Sequence, residues 1–278
     1  MATDSHIVSA APDGLKLALH HWPASAPRAV LSLIHGFGEH GGRYSKLAAH
    51  LNTQDISVVA VDLRAHGLTS NARGSCTDYA EFLGDVEALT AHARKLYPAL
   101  PHYLFGHSMG GGLALAYGLE AEKDAFEGYL VSAPFLKAKD PVPAPLRFAV
   151  HLISKIAPRL SIKFPIDGTK ISSQGPEQAA YLNDPLTHGQ LSFGLAAGMV
   201  KTGEDSLARA HNWRHPLCLW STPQDQLVSF EAIETFAAQA RHCETYIFEG
   251  AQHEMHNDIS RQAVYALMRD FILKEPPA

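Results

Sequence analysis

The sequence predicts an α/β fold with a mostly parallel central sheet flanked by helices. Three observations predict it. Short apolar runs recur at 29–34, 56–61, 102–105, 128–131, 217–220 and 245–248. Runs that are apolar on both faces suit parallel strands covered by helices. Helical patterns fall between them, at 44–52, 78–96, 109–120, 230–240 and 258–272. Alternation of the two signals is the mark of an α/β architecture. The alternation stops between about 137 and 212, which predicts a helical cap inserted over the strand ends of a single domain.

The elements follow in order. Ile7-Val8 and the run 15–19 flank Asp13-Gly14, a hairpin signal. The pattern over 78–96 is apolar at Phe82, Val86, Leu89 and Ala93, a helical spacing. Pro141, Pro143 and Pro145 punctuate the start of the insertion. Within it, Leu146, Val150, Ile153, Ala157 and Leu160 fall on one helical stripe. Arg147, His151, Lys155, Arg159 and Lys163 recur every fourth residue on another. Residues 137–170 carry seven Lys/Arg against two Asp/Glu, a net +5, which leaves −10 for the rest of a chain whose total is −5. A basic amphipathic cap on an acidic body predicts peripheral contact with an anionic membrane surface. The plainer alternative is a solvated helix face around a core stripe.

Composition narrows the class. Of 278 residues, 46% are hydrophobic, enough for a sizeable core, and 18% are charged, which argues against disorder. A net charge of −5 argues against a general nucleic-acid partner. Cys76, Cys218 and Cys243 are scattered, with no disulfide framework and no paired zinc spacing. The first residues lack the basic start and apolar run of a signal peptide, and no run of about 18 apolar residues predicts a membrane span. A cytoplasmic location is the expectation. His211 and His215 stand four apart, but Pro216 follows and no carboxylate lies between, so they read as ordinary surface histidines. Oligomeric state leaves no signal.

The chemistry concentrates at Gly106-His107-Ser108-Met109-Gly110. Gly-x-Ser-x-Gly between a strand and a helix is a nucleophile elbow. The turn brings flanking backbones close, so small residues are needed two places either side of the serine. A serine hydroxyl needs a base to remove its proton. On such a sheet the partners follow in the order serine, acid, histidine, on loops after strands. Asp225 lies five residues beyond the run ending at Trp220, and His253 follows the last run. Ser108 would attack an acyl carbon, His253 would carry its proton, and Asp225 would hold the imidazole. Asp205 and Asp258 are rival acids, and His256 is a rival base. The tetrahedral oxygen needs two N–H donors. Met109, next to the nucleophile, and Phe37, in His35-Gly36-Phe37-Gly38, are the choices. Asp62 reads as a residue that fixes its own loop. No metal or cofactor is called for.

These residues carry a resemblance. His35-Gly36-Phe37-Gly38-Glu39-His40-Gly41-Gly42-Arg43-Tyr44, with Gly106-His107-Ser108-Met109-Gly110-Gly111, resembles the monoacylglycerol lipase and lysophospholipase branch of the α/β-hydrolases. The resemblance implies cofactor-free hydrolysis of a single-chain acyl glycerol ester under a helical cap. It implies the triad Ser108, Asp225 and His253 with oxyanion donors Phe37 and Met109. It also implies that Glu39, Arg43 and His256 line the end that receives the glycerol head, although Arg43 also fits a simple pair with Glu39 four residues earlier. Two positions depart from the family. Ala65 stands where Arg-Gly-His-Gly is usual, and bulky Phe37 stands where a small residue is common, narrowing the acyl entrance. The same triad also serves other carboxylesterases, acyltransferases and peptidases that cleave after proline. A non-catalytic ligand binder of this fold is the alternative outside enzymes.

Overall fold

Apolar runs become central strands where the chain finds a partner on both sides. The computed structural model describes residues 5–69, 72–121, 125–140 and 142–274, so Pro141 lies outside the described residues. Strands β1 (Ser5–Ala10) and β2 (Lys16–Trp22) form the antiparallel hairpin expected around Asp13-Gly14. β3 (Ala29–Ile34), β4 (Ile56–Val61), β5 (His102–His107) and β6 (Gly128–Ser132) follow. β7 (Ser161–Lys163) and β8 (Gln190–Ser192) form a separate two-stranded ribbon. β9 (Leu217–Ser221) and β10 (Cys243–Ile247) complete the main sheet. Its order is β1-β2-β4-β3-β5-β6-β9-β10. β2 runs antiparallel to β4, and every pair from β4 to β10 is parallel.

Every residue of β3, β4, β5, β6 and β9 is buried, as runs apolar on both faces require. The run at 245–248 behaves differently. Residues 245–247 of it belong to β10, which among the described residues has β9 as its one strand partner and leaves Glu244 to Ile247 exposed at the sheet edge.

The helices are α1 (Ser45–Asn52), α2 (Glu81–Leu96), α3 (Met109–Glu120), α4 (Ala144–Ile156), α5 (Gly168–Ile171), α6 (Gly175–Asn183), α7 (Phe193–Ala208), α8 (Phe230–Gln239) and α9 (Arg261–Leu273). α2 begins three residues later than its apolar pattern because the Asp78 carboxylate accepts the Ala80 N–H in a turn. α9 begins at Arg261 rather than Asp258, whose carboxylate is engaged elsewhere. α3 is apolar nearly all round and is the most buried helix, pressed on β5. Beneath its start, Phe105 stacks on Trp220 with ring centroids 5.7 Å apart. Burying such a side chain is worth about 1.5–3 kcal/mol.

α4 to α7 and the β7–β8 ribbon all lie between β6 and β9, outside the main sheet. α7 packs on both α3 and α4. The apolar stripe of the sequence does not form a core here. No residue of α4 is buried, and Phe148 and Ile156 are 69% and 76% exposed. The stripe also ends early. Pro158 disfavours helical backbone at Ala157, which turns to φ −139°, ψ 63° and caps the helix. Leu160, Arg159 and Lys163 therefore lie beyond it.

His215 corrects another expectation. It is buried beside Trp213 and Tyr129, with Nε2 3.0 Å from the Gly118 carbonyl oxygen, while His211 is exposed. Pro216 opens the way into β9, so the residue before it is already inside the fold. Ala65 takes φ 60°, the left-handed region that favours glycine. A side chain there costs about 1–3 kcal/mol, which accounts for glycine being usual at that place.

Candidate active site

The turn from β5 to α3 sets the geometry. Ser108 adopts φ 54°, ψ −118° between them. A Cβ on Gly106 would strike the Gly110 carbonyl, and one on Gly110 would strike the carbonyls of Ile34 and His35. The strained turn is held from both sides. Ser108 N donates to Ser132 O at 2.9 Å, and Ser108 O accepts from Phe135 N at 2.8 Å and Gly112 N at 3.0 Å. Overdetermined strain of this kind marks functional backbone.

Asp225 and His253 come from the loops after β9 and β10. His253 Nδ1 lies 2.7 Å from Asp225 Oδ2. The other carboxylate oxygen accepts from Leu227 N at 2.8 Å and Val228 N at 3.0 Å, which aims it. With Nδ1 so engaged, Nε2 is the nitrogen left for Ser108, and both residues line one cavity. The rival acids are occupied elsewhere. Asp205 pairs with Lys201 on an exposed face of α7, and Asp258 accepts from Ser173 and Gln252 N. His256 is buried, stacked on Tyr44 at 5.0 Å and edge-on to His107 at 4.9 Å.

Burial alone pulls the His253 pKa down, but the Asp225 charge and hydrogen bond outweigh it and raise the pKa above the ordinary 6.5. His107, 4.7 Å from His253 ring to ring, is pushed well down, chiefly by burial, and stays neutral. A base must be unprotonated to act, so a raised pKa moves the acid limb of kcat/KM upward. The expected profile rises with pH to a half-point above 6.5, and Asp225→Asn shifts that half-point down while lowering the plateau. A pH series of kcat/KM for both proteins checks this. A wild-type half-point below 6.5 would contradict it.

Phe37 lines the same cavity, and Met109 begins α3 beside the serine. The Phe37 ring stands edge-on to His66 and His188, at 6.1 and 5.8 Å. Its loop is pinned at both ends. Gly36 N donates to Glu39 Oε1 at 2.5 Å, and Gly38 O accepts from His188 N at 2.8 Å.

The three residues implied for a head group divide. Glu39 lines the cavity; Arg43 and His256 lie behind its wall. Arg43 is held between two buried carboxylates, at 2.5 Å from Glu39 and at 2.6 and 2.9 Å from Glu254. The pair with Glu39 four residues earlier was legible; Glu254 was not. Its one sequence signal is a charge directly beside His253 in a run that leads into buried structure. Burial raises the Glu39 carboxyl above its usual range, the Glu254 charge adding to this and Arg43 opposing it. Against the same burial, Arg43 draws Glu254 below its usual range. Burial holds His256 down at about 4, so it is neutral. Gly36, His107 and Glu254 also line the cavity, with Ile166, Ile171 and Tyr181 from the segment between β6 and β9 and Leu227 from the loop after β9.

A strained serine at a strand–helix turn, on this sheet and beneath such a segment, is the arrangement of an α/β-hydrolase. The family model described as "Serine aminopeptidase, S33" matches residues 25–260. A monoacylglycerol lipase of Mycolicibacterium smegmatis (strain ATCC 700084 / mc(2)155) is 30% identical over 257 residues, 90% of each chain. Phospholipase YtpA of Bacillus subtilis (strain 168) is 30% identical over 253 residues, 90% of this chain and 97% of that one. The crystal structure of a soluble variant of the monoglyceride lipase from Saccharomyces cerevisiae, in complex with a substrate analog, superposes with TM-score 0.89 at 22% identity, covering 100% of this chain and 98% of that one. The chain belongs to this serine hydrolase family, in the monoacylglycerol lipase branch of the α/β-hydrolases.

Proposed function

We propose that the chain hydrolyses single-chain acyl glycerol esters, monoacylglycerols before lysophospholipids, through an acyl-enzyme on Ser108. The observation that carries this is the mixed lining of the cavity. Around Ser108 it combines polar Glu39, Glu254 and His107 with apolar Phe37, Ile166, Ile171 and Leu227 and the Tyr181 ring. An ester joining a polar head to one acyl chain matches a lining of both kinds, and the names of the relatives support it. His253 takes the Ser108 proton as the hydroxyl attacks, and returns it to the departing glycerol oxygen. Water then repeats the cycle on the acyl-enzyme. The backbone N–H groups of Phe37 and Met109 hold the oxyanion in both halves. Residues 137–212 are the cap of a single domain, and no cofactor takes part.

The family description also names aminopeptidases. Such a site needs an unpaired carboxylate for the substrate ammonium, and here Arg43 already bridges Glu39 and Glu254. Fatty-acid release from a long-chain monoacylglycerol, a lysophospholipid and an aminoacyl arylamide tests the reading. Release from the first at the highest kcat/KM supports it. Turnover of the arylamide alone would replace it.

The cap also meets membranes in this reading, by a route more apolar than charge alone predicts. α4 turns Leu146, Phe148, Leu152 and Ile156 outward beside Lys155, and Arg147 is already paired with Glu204 at 2.8 Å. Among the described residues, no helix is long and apolar enough to cross a bilayer. Binding to anionic vesicles is expected to exceed that to neutral ones, to persist in part at high salt, and to fall several-fold in Phe148→Asp. Equal sedimentation of wild type and Phe148→Asp would reject α4 as the contact.

A further inference from the structure

Outside the cavity of Ser108, three chain segments bring nitrogen and oxygen ligands together. β2 supplies His20, the loop after β3 supplies His40, and Asp62 follows β4. All three side chains are buried, at 2%, 6% and 0% exposure. One ligand atom from each lies within 4.8 Å of the others. His20 Nε2 and Asp62 Oδ1 are already 2.9 Å apart.

His40 carries the argument. Its Nε2 stands 2.9 Å from Asp184 Oδ2, a carboxylate that accepts a proton. Nε2 is then the protonated nitrogen, and Nδ1 presents a lone pair. That Nδ1 is buried and has no hydrogen-bond partner. A buried acceptor with no donor is costly, so the exceptions call for a reason. The gap beside it is kept open by a missing side chain. A Cβ on Gly42 would stand 3.0 Å from His40 Nδ1 and 3.2 Å from His20 Cε1.

We propose that His20, His40 and Asp62 form a second site, which binds a divalent transition-metal ion of the zinc class. Two imidazoles and one carboxylate are a common donor set for such ions, with a fourth position for water. Asp184 supplies the outer carboxylate that orients a metal-bound histidine through its other ring nitrogen. Zinc–ligand bonds of about 2.0–2.2 Å require the three atoms to draw in around the ion. Three ligand bonds form, and His20 changes tautomer, its ring proton passing from Nε2 to Nδ1 so that the Nε2 lone pair is free for the ion. The site takes no part in acyl transfer. It would tie β2, the loop that carries Glu39 and the end of β4 to the cap through Asp184.

The test is titration of chelator-treated protein with Co²⁺, followed by its visible d–d absorption, and with Zn²⁺, followed by calorimetry and Tm. One equivalent of each, a tetrahedral-type Co²⁺ band and a Tm raised by several degrees are expected. His40→Gln and His20→Gln each lose the band and at least a hundredfold in affinity, and Asp184→Asn loses about 10–100-fold. Near-ultraviolet dichroism reports whether each variant folds, and His20→Gln decides if His40→Gln does not. Absence of a stoichiometric ion in wild type overturns the site, as does binding that survives His20→Gln. Binding lost in Glu254→Gln instead would place the ion with Glu39, His107 and Glu254 and equally overturn it.

Discussion

Replacing Ser108 by alanine removes ester turnover, lowering kcat roughly 10⁴–10⁶-fold, and leaves the fold standing. The loss is large because, in the proposed mechanism, nucleophile, base and acid act as one unit. Without the hydroxyl, the 2.7 Å His253–Asp225 pair has no proton to move. What remains is positioning and the proposed oxyanion donors. Stability should change by less than about 0.5 kcal/mol, because alanine keeps the Cβ and the backbone hydrogen bonds of the turn are unchanged. The measurement is fatty-acid release and fluorophosphonate labelling of both proteins, with Tm alongside. A labelled, active Ser108→Ala protein would end the assignment of this serine. An unfolded one would show instead that the strained turn depends on the hydroxyl.

Replacing Arg43 by methionine is expected to destabilise the protein by about 3–5 kcal/mol at pH 7. Methionine fills much of the space, so the cost is electrostatic. Glu39 and Glu254 would be left facing each other in the interior, with their pKa values raised above those of the unfolded chain. A carboxyl raised on folding weakens the native state above its unfolded pKa and ceases to do so once protonated. The deficit should therefore shrink as pH falls through the carboxylate range. Adding Glu254→Gln should recover part of it at pH 7. Urea unfolding of the three proteins at pH 7 and pH 5 measures this. A deficit that is the same at both pH values would show that Arg43 contributes packing rather than charge. Activity should fall with stability, because Glu39 holds the Gly36 N–H at the root of the Phe37 loop.

The central sheet and the elbow were legible because each rests on local rules. An apolar run of five or six residues flanked by helical spacing admits few other structures, and β3, β4 and α3 lie where their runs predict. The chain order serine, acid, histidine is a topological rule, so Ser108, Asp225 and His253 could be proposed as a set; the structure puts His253 Nδ1 2.7 Å from Asp225 and has Ser108 and His253 line one cavity. The parts that escaped depend on side chains meeting across the fold. No spacing links Arg43 to Glu254, 211 residues on, or His40 to Asp184, 144 residues on. The outward face of α4 escaped for another reason. A stripe at helical period says that one face is apolar, and leaves open whether that face meets the interior or the outside. β7 and β8, three residues each, are too short to leave any period.

Beside Ser108 the structure leaves about 20 Å³ of room, enough for one water molecule. Sites for lipid-sized ligands run to roughly 300–1,000 Å³. An acyl chain does not fit the cavity as it stands in this structure, so on the proposed reading Ile166, Ile171 and Tyr181 have to give way before a substrate enters. The segment between β6 and β9 that supplies Ile166, Ile171 and Tyr181 to the cavity also carries α4, so one stretch of chain both lines the site and presents an exposed apolar face.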